Sequence, residues 1–207
     1  MHDCTDQSVS SAGEQFWIGK ARIVVQEMTD QLVLDLVEHG FVTDQIVLTV
    51  GYDIENLTDP VRAKRYHGEV TTDRYGRKIP KHAHGTANLQ NHTSSAITVV
   101  EKTLELYDRI INPDLLIRRI YVTACHVRTE QEVQKEQTYE QMSLFDFAEE
   151  TEEQKAQKQA LQKEKQMQKA MLSIKQRYGK NAILKGTNFK EGATMRQRNG
   201  QIGGHRA

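Results

Sequence analysis

The sequence predicts an α+β fold: a β-α-β-β-α-β chain that builds an antiparallel sheet with both helices on one face, followed by a linker, a charged helix and an irregular tail. Three observations lead there. Between residues 20 and 127 the apolar residues switch from steps of three and four to steps of two, and the switch then recurs. The second faces of the period-two segments are polar, as on a sheet covered from one side only. After about residue 129 the apolar periodicity gives way to acidic, Gln-rich composition.

Each element follows from its own pattern. Gln7 to Ser11 (QSVSS) reads as a short edge strand. Residues 20–39 read as a helix, because Ala21, Val24, Val25, Met28, Leu32 and Leu36 form one stripe, and Gly40 stands where a left-handed cap would end it. Glu27, Asp30, Asp35 and Glu38 then fall on its expected water-facing side. Residues 45–52 alternate, with Ile46, Leu48, Val50 and Tyr52 on one face and Val47, Thr49 and Gly51 on the other. The polar, basic stretch 53–82 reads as a long exposed connection. Residues 83–89 alternate again: Ala83, Gly85, Ala87 and Leu89 oppose His84, Thr86 and Asn88. A helix follows with Thr93 or Ser94 as N-cap, a stripe of Ile97, Val100, Leu104, Tyr107 and Ile111, and a stop at Pro113. Residues 116–127 make a strand with Ile120, Val122 and Ala124 facing one way and Arg119, Tyr121 and Thr123 the other. Residues 152–178 favour helix, amphipathic only through Met167, Ala170, Met171, Ile174 and Tyr178. The expected divisions are 1–129 for the sheet domain, 130–150 for the acidic linker, 151–178 for the charged helix and 179–207 for a basic, Gly-rich tail.

Composition removes several classes. The 207 residues contain no apolar run long enough to span a membrane, and Met1 to Gly13 lacks the features of a signal peptide, so a cytoplasmic protein is expected. Two cysteines, Cys4 and Cys125, exclude a disulfide scaffold and a four-Cys zinc site. The 28 basic and 28 acidic residues cancel only in total. Residues 1–60 carry net −9, 61–92 net +5, 93–128 net +1, 129–154 net −8 and 155–207 net +11. A polyanion would therefore meet two basic blocks and not a neutral average.

Two constellations carry chemistry. In the first, Arg62, Lys64, Arg65, Arg74, Arg77, Lys78 and Lys81 precede a strand presenting His84, Thr86 and Asn88, with Gly85 expected to let backbone amides approach phosphates. The second is Gln141-Met142-Ser143-Leu144-Phe145, where two large apolar residues sit in an acidic linker as a short motif docking on another protein. His82 and His84 share a strand face, but spacing supplies no third metal ligand. The glycines of Gly200 to Gly204 are not a dinucleotide fingerprint, and neither G-x-S-x-G nor H-E-x-x-H occurs.

These residues together resemble the C-terminal part of the Y-family translesion DNA polymerases, in the bacterial SOS mutagenesis (ImpB/MucB/SamB-like) branch. The carriers are Lys20 to Met28 (KARIVVQEM), Val50-Gly51-Tyr52, Asp73 to Leu89 (DRYGRKIPKHAHGTANL), Leu106 to Ile110 (LYDRI), Leu116 to Ile120 (LIRRI) and QMSLF. The tail segments Tyr178 to Gly186, Glu191 to Thr194 and Asn199 to His205 look like the ending of one bacterial subgroup, so the resemblance covers nearly the whole chain. It implies a little-finger domain with the β-α-β-β-α-β order, gripping both DNA backbones from the major groove, largely by main-chain amides. By position, the implied DNA contacts are His84, Gly85, Thr86, Asn88, Arg118, Arg119 and Tyr121, which join Arg74, Arg77, Lys78 and Lys81 of the basic connection as DNA-binding candidates. QMSLF resembles the family's sliding-clamp motif, Gln-x-Ser/Asp-Leu-Phe, with Gln141 at the rim of the clamp pocket, Met142 where Leu is common, Ser143 at the Ser/Asp position, and Leu144 and Phe145 inside the pocket. The implied partners are DNA, the sliding clamp and the remainder of the polymerase. The family's Mg²⁺-binding palm carboxylates match nothing in this sequence. The chain therefore resembles a fragment or half of a split polymerase, with no polymerase activity or cofactor expected of it alone. The alternative expectation is a non-catalytic interaction factor that recruits repair partners through residues 129–207.

Overall fold

The computed structural model describes residues 5–10, 18–141, 152–202 and 205–206. It is an α+β fold around one antiparallel sheet. Strand β1 (Thr5–Ser10) is followed by helix α1 (Ile18–His39), strand β2 (Phe41–Tyr52), short helices α2 (Glu55–Thr58) and α3 (Pro60–Arg65), and a hairpin of β3 (Val70–Thr72) and β4 (Lys78–Pro80). Strand β5 (Ala83–Thr93), helix α4 (Ala96–Ile110) and strands β6 (Ile117–Cys125) and β7 (Arg128–Thr129) complete the sheet domain. Helices α5 (Glu130–Gln141) and α6 (Glu152–Tyr178), a 3₁₀ turn over Gly186–Phe189, helix α7 (Met195–Arg198) and the small pair β8 (Gln201–Ile202) and β9 (His205–Arg206) follow.

The main strands lie in the order β1-β6-β2-β5, with β7 pairing the start of β2. Ile46, Leu48, Val50 and Tyr52 of β2, Ala87 and Leu89 of β5, and Ile117, Ile120, Val122 and Ala124 of β6 are buried beneath α1 and α4. The alternation of period two thus places the core as the sequence implies, and among the described residues the opposite face carries no helix.

The long connection 53–82 is more structured than its composition suggests. Asn56 is fully buried and ties α2 to the start of β6, donating to the Leu116 carbonyl at 3.0 Å and accepting from the Leu116 amide at 2.8 Å. Asp59 caps α3, accepting from the amides of Val61 and Arg62, with Pro60 at the first helical position. A second difference concerns α4. Its N-cap is Ser95, and its buried side is Val99, Thr103, Leu106 and Tyr107, while Ile97 is 70% exposed. The expected stripe is rotated about the helix axis, because Thr103 satisfies its own hydroxyl on the Val99 carbonyl at 2.7 Å and packs like an apolar residue.

Past residue 129 the structure departs further from the composition. The acidic stretch expected as linker is helical over Glu130–Gln141. The signal was a capping box: Thr129 Oγ1 accepts from the Glu132 amide, and Glu132 Oε2 accepts from the Thr129 amide. Helix α6 buries Glu164 and Gln168, while Met167 and Tyr178 of the expected stripe are exposed. Glu164 accepts from Ser95 Oγ at 2.7 Å and from the Ile97 amide at 3.1 Å, so its carboxylate sits at the N-terminus of α4, where the helix dipole favours it. Gln168 donates to the Ser94 carbonyl at 3.1 Å.

The basic tail also has structure. Residues 185–198 lie over α1, whose acids are not the wet face expected of them: Glu27 is 0% and Asp30 is 6% exposed. Glu27 accepts from Asn188 Nδ2, the amides of Thr194 and Met195, and Thr194 Oγ1, with Arg198 at 3.5 Å. Lys185 pairs with Asp30 at 2.5 Å and Lys20 with Glu191 at 2.8 Å. Part of the +11 block therefore meets part of the −9 block within the molecule. The helix-bearing side has two layers, α1 and α4 on the sheet and α6 with the tail outside them, which is why α1 carries apolar residues around so much of its circumference.

Candidate nucleic-acid interface

The helix-free face of the sheet is a grid set by strand register. Thr49 on β2 stands between His84 on β5 and Tyr121 on β6, with Ser8 of β1 opposite Tyr121. Val47 stands between Thr86 and Thr123, and Gln45 between Asn88 and Cys125. Gly51 lies opposite Arg119, one row nearer the β3–β4 end. His84, Thr86, Asn88 and Arg119 are exposed, and Tyr121 and Thr123 are half-buried. Cross-strand hydrogen bonds fix the grid: Thr49 Oγ1 and His84 Nδ1 are 2.8 Å apart, and Gln45 Nε2 donates to Asn88 Oδ1 at 2.9 Å. These rows gather residues from β2, β5 and β6 that lie up to 80 positions apart into one polar surface.

The basic hairpin abuts one end of this surface, since β4 runs through Lys81 and His82 straight into β5. The His82 and His84 rings meet edge to face with centroids 6.2 Å apart. Arg74, Arg77, Lys78 and Lys81 are all exposed. Arg77 pairs with Asp73 at 2.7 Å, and the same hydrogen bonding holds the Asp73 carboxyl below the usual carboxylate range. Lys81 pairs with Glu69 at 2.7 Å. Arg77, Lys81 and Glu69 are exposed and Asp73 is half-buried, so water screens both pairs and leaves the two cations open to competition from a phosphate. Arg74, Lys78 and Arg119 have no acid partner among the described residues.

Two expected site residues have another local role. The missing side chain of Gly85 faces the helices: a Cβ there would lie 2.8 Å from Leu106 Cδ1 and 3.1 Å from Ile110 Cγ2. The glycine therefore lets α4 pack close to β5 and does not itself open the polar face. Arg118 turns beside the irregularity between Gly51 and Tyr52 and reaches Asp53 at 3.3 Å, off the Arg119 row. Gln141 is the last residue of α5, and Met142, Ser143, Leu144 and Phe145 lie outside the described residues.

Sequence reasoning missed Gln45, whose place in the grid depends on register, and Arg109, which donates from α4 to the Thr86 carbonyl at 3.3 Å. It also passed over Tyr75 at the hairpin tip. Among the described residues no group of three or more His, Cys, Asp or Glu could hold a metal ion, and the polar face needs none to meet phosphates. Among them, too, no helix is long and apolar enough to cross a membrane. No family model matches the sequence, and no curated protein matches it.

Proposed function

We propose that this chain grips DNA through the helix-free face of its sheet and docks on a sliding clamp, as the C-terminal portion of a Y-family translesion polymerase acting in bacterial lesion bypass. The observation that carries the reading is the pairing of a rigid polar grid with a basic hairpin at one end. A sheet face lined by Arg119, Tyr121, Thr123, His84, Thr86 and Asn88 offers donors to phosphate oxygens over several strands. Contacts of this kind position a duplex without reading its sequence, which suits an element that must hold damaged DNA of any sequence. The resemblance to the little-finger domain agrees with the strand and helix order. The Mg²⁺-dependent nucleotidyl transfer would belong to the rest of the polymerase, as a separate partner in the cytoplasm, and not to this chain.

In this reading Gln141 to Phe145 tethers the chain to the clamp, which raises the local concentration of the polymerase at the primer end without any new DNA contact. The packing of 152–202 onto α1 and α4 makes that region part of the folded body, which favours the DNA-gripping reading over an interaction factor working through 129–207 alone.

The test is binding of primer–template DNA by fluorescence anisotropy across a salt series. With about four phosphates neutralised, log K should fall with log salt with a slope of roughly −3 to −4. Replacing Arg74, Lys78 and Arg119 together by Ala should flatten that slope by about two to three units. A flat salt response of the unaltered protein would refute the reading. Leu144→Ala with Phe145→Ala should abolish co-elution with the clamp while DNA binding persists. Clamp binding that survives the double change would refute the motif.

A further inference from the structure

We propose that Tyr75, presented at the tip of the β3–β4 hairpin between Arg74 and Arg77, is a stacking platform for an unpaired base of single-stranded DNA. This rests on the DNA-gripping reading and adds to it the kind of strand that the hairpin takes.

The ring serves no purpose that the fold requires. Tyr75 is 70% exposed, and the turn is built without its side chain. Asp73 does the building: its carboxylate accepts from the Tyr75 amide at 2.9 Å, the Arg77 amide at 2.9 Å and Arg77 Nε at 2.8 Å. Gly76, at φ +79°, supplies the left-handed residue. The backbone bonds from Asp73 N to the Arg77 carbonyl and from Gly76 N to the Asp73 carbonyl close the loop. Any polar residue would complete such a turn, yet it projects the ring of a large aromatic into water.

The surroundings say what would cover the ring. The guanidinium carbons of Arg74 and Arg77 lie 5.6 and 5.2 Å from the ring centroid. Both cations lie over the ring, attracted by its π face, and a stacking base would take their place while the guanidiniums move to its phosphates. Residues 70–81 carry four basic side chains and one acid, so the hairpin is net +3 and attracts a polyanion. A flat apolar face inside a cationic frame fits a nucleobase with its flanking phosphates. It fits an unpaired base in particular, since a base inside a duplex is already stacked on both sides. The hairpin adjoins the Arg119 end of the polar grid, so a duplex held on the sheet would leave its single-stranded extension near the tip. The turn is fixed in advance by Asp73, and little ordering is needed when the base arrives.

The experiment uses the full chain and three labelled DNAs: a single strand, a blunt duplex, and the same duplex with a single-stranded extension. Tyr75→Ala should weaken binding of the single strand and the extended duplex by about 5- to 150-fold, while the blunt duplex stays within about twofold. Tyr75→Phe should bind as the unaltered protein does, and Tyr75→Leu should lose as much as Tyr75→Ala, because Leu is apolar but has no π face. Thermal midpoints establish that all variants are folded. A Leu variant that keeps single-strand affinity overturns the proposal, and so does an equal loss on the blunt duplex. If the unaltered protein binds blunt duplex and Tyr75→Ala changes nothing on any DNA, the platform falls and the DNA-gripping reading stands. If the unaltered protein binds none of the three, both fall.

Discussion

Truncating Glu27 to Ala tests the docking of the basic tail. The carboxylate is fully buried in the middle of α1 and accepts four hydrogen bonds: 2.8 Å from Asn188 Nδ2, 2.8 Å from Thr194 N, 3.2 Å from Thr194 Oγ1 and 2.9 Å from Met195 N. Arg198 stands 3.5 Å away with only 15% of its side chain exposed, and burial already pushes its guanidinium below the usual arginine range. Removing one partner of a buried pair leaves the other charge uncompensated, at a cost of about 3–5 kcal/mol. The tail can escape that cost by lifting off α1, so the loss is expressed as local undocking and not as unfolding of the sheet. Hydrogen exchange at the Thr194 and Met195 amides should accelerate by about 100- to 1,000-fold, limited by the free energy of docking itself. The amides of Leu48 and Val122, in the sheet core, should keep their protection. Glu27→Gln should fall between, since the amide oxygen still accepts but the charge is gone. Protection at Thr194 and Met195 within about threefold of the unaltered protein would refute the inference that Glu27 anchors the tail.

Two further outcomes can be checked alongside. Gly85→Ala should lower stability by about 1–3 kcal/mol in chemical denaturation, because its Cβ would press Leu106 and Ile110. The folded fraction should bind DNA as before; a stable variant with lost DNA binding would reverse the reading. Carboxyl-carbon NMR should find two aspartates shifted in opposite directions. Asp73, held low first by the Arg77 hydrogen bond, contributes hairpin stability that is present above the ordinary aspartate pKa and lost as pH falls through its depressed native value. Asp30, raised first by burial and only partly relieved by Lys185, contributes with the other sign. Its effect favours the folded state below the ordinary pKa and is lost as pH rises through the raised native value. Coincident titration of the two would contradict both placements.

Much of the sheet domain was legible because local spacing encodes it. Residues such as Leu48 and Val122 alternate with polar neighbours, and a strand period of two leaves one face for each set. The polar character of the DNA-facing candidates follows from the same rule. What was missed involves polar side chains satisfied inside the fold. Thr103 packs as an apolar residue through its bond to Val99, so the expected α4 stripe left it out, although Tyr107, Leu104 and Ile111 of that stripe do pack in the core. Glu164 and Gln168 form the buried side of α6, though no apolar period marks them. Gly85 was given to the DNA for its bare backbone, although alternation already placed it on the core side with Ala83 and Ala87, where its missing side chain makes room for Leu106 and Ile110.

The sequence by itself determined the kinds of element, their order and the polar face of the sheet, since these depend on neighbours within one or two turns of the chain. Only the tertiary structure decided which charges face solvent. Glu27 and Met195 are 168 positions apart, and an acid on a helix is wet or buried according to what packs over it. The acidic start and the basic end of the chain, which cancel in composition, partly cancel in contact as well. The hairpin cations, Arg119 and the ring of Tyr75 are left facing outward.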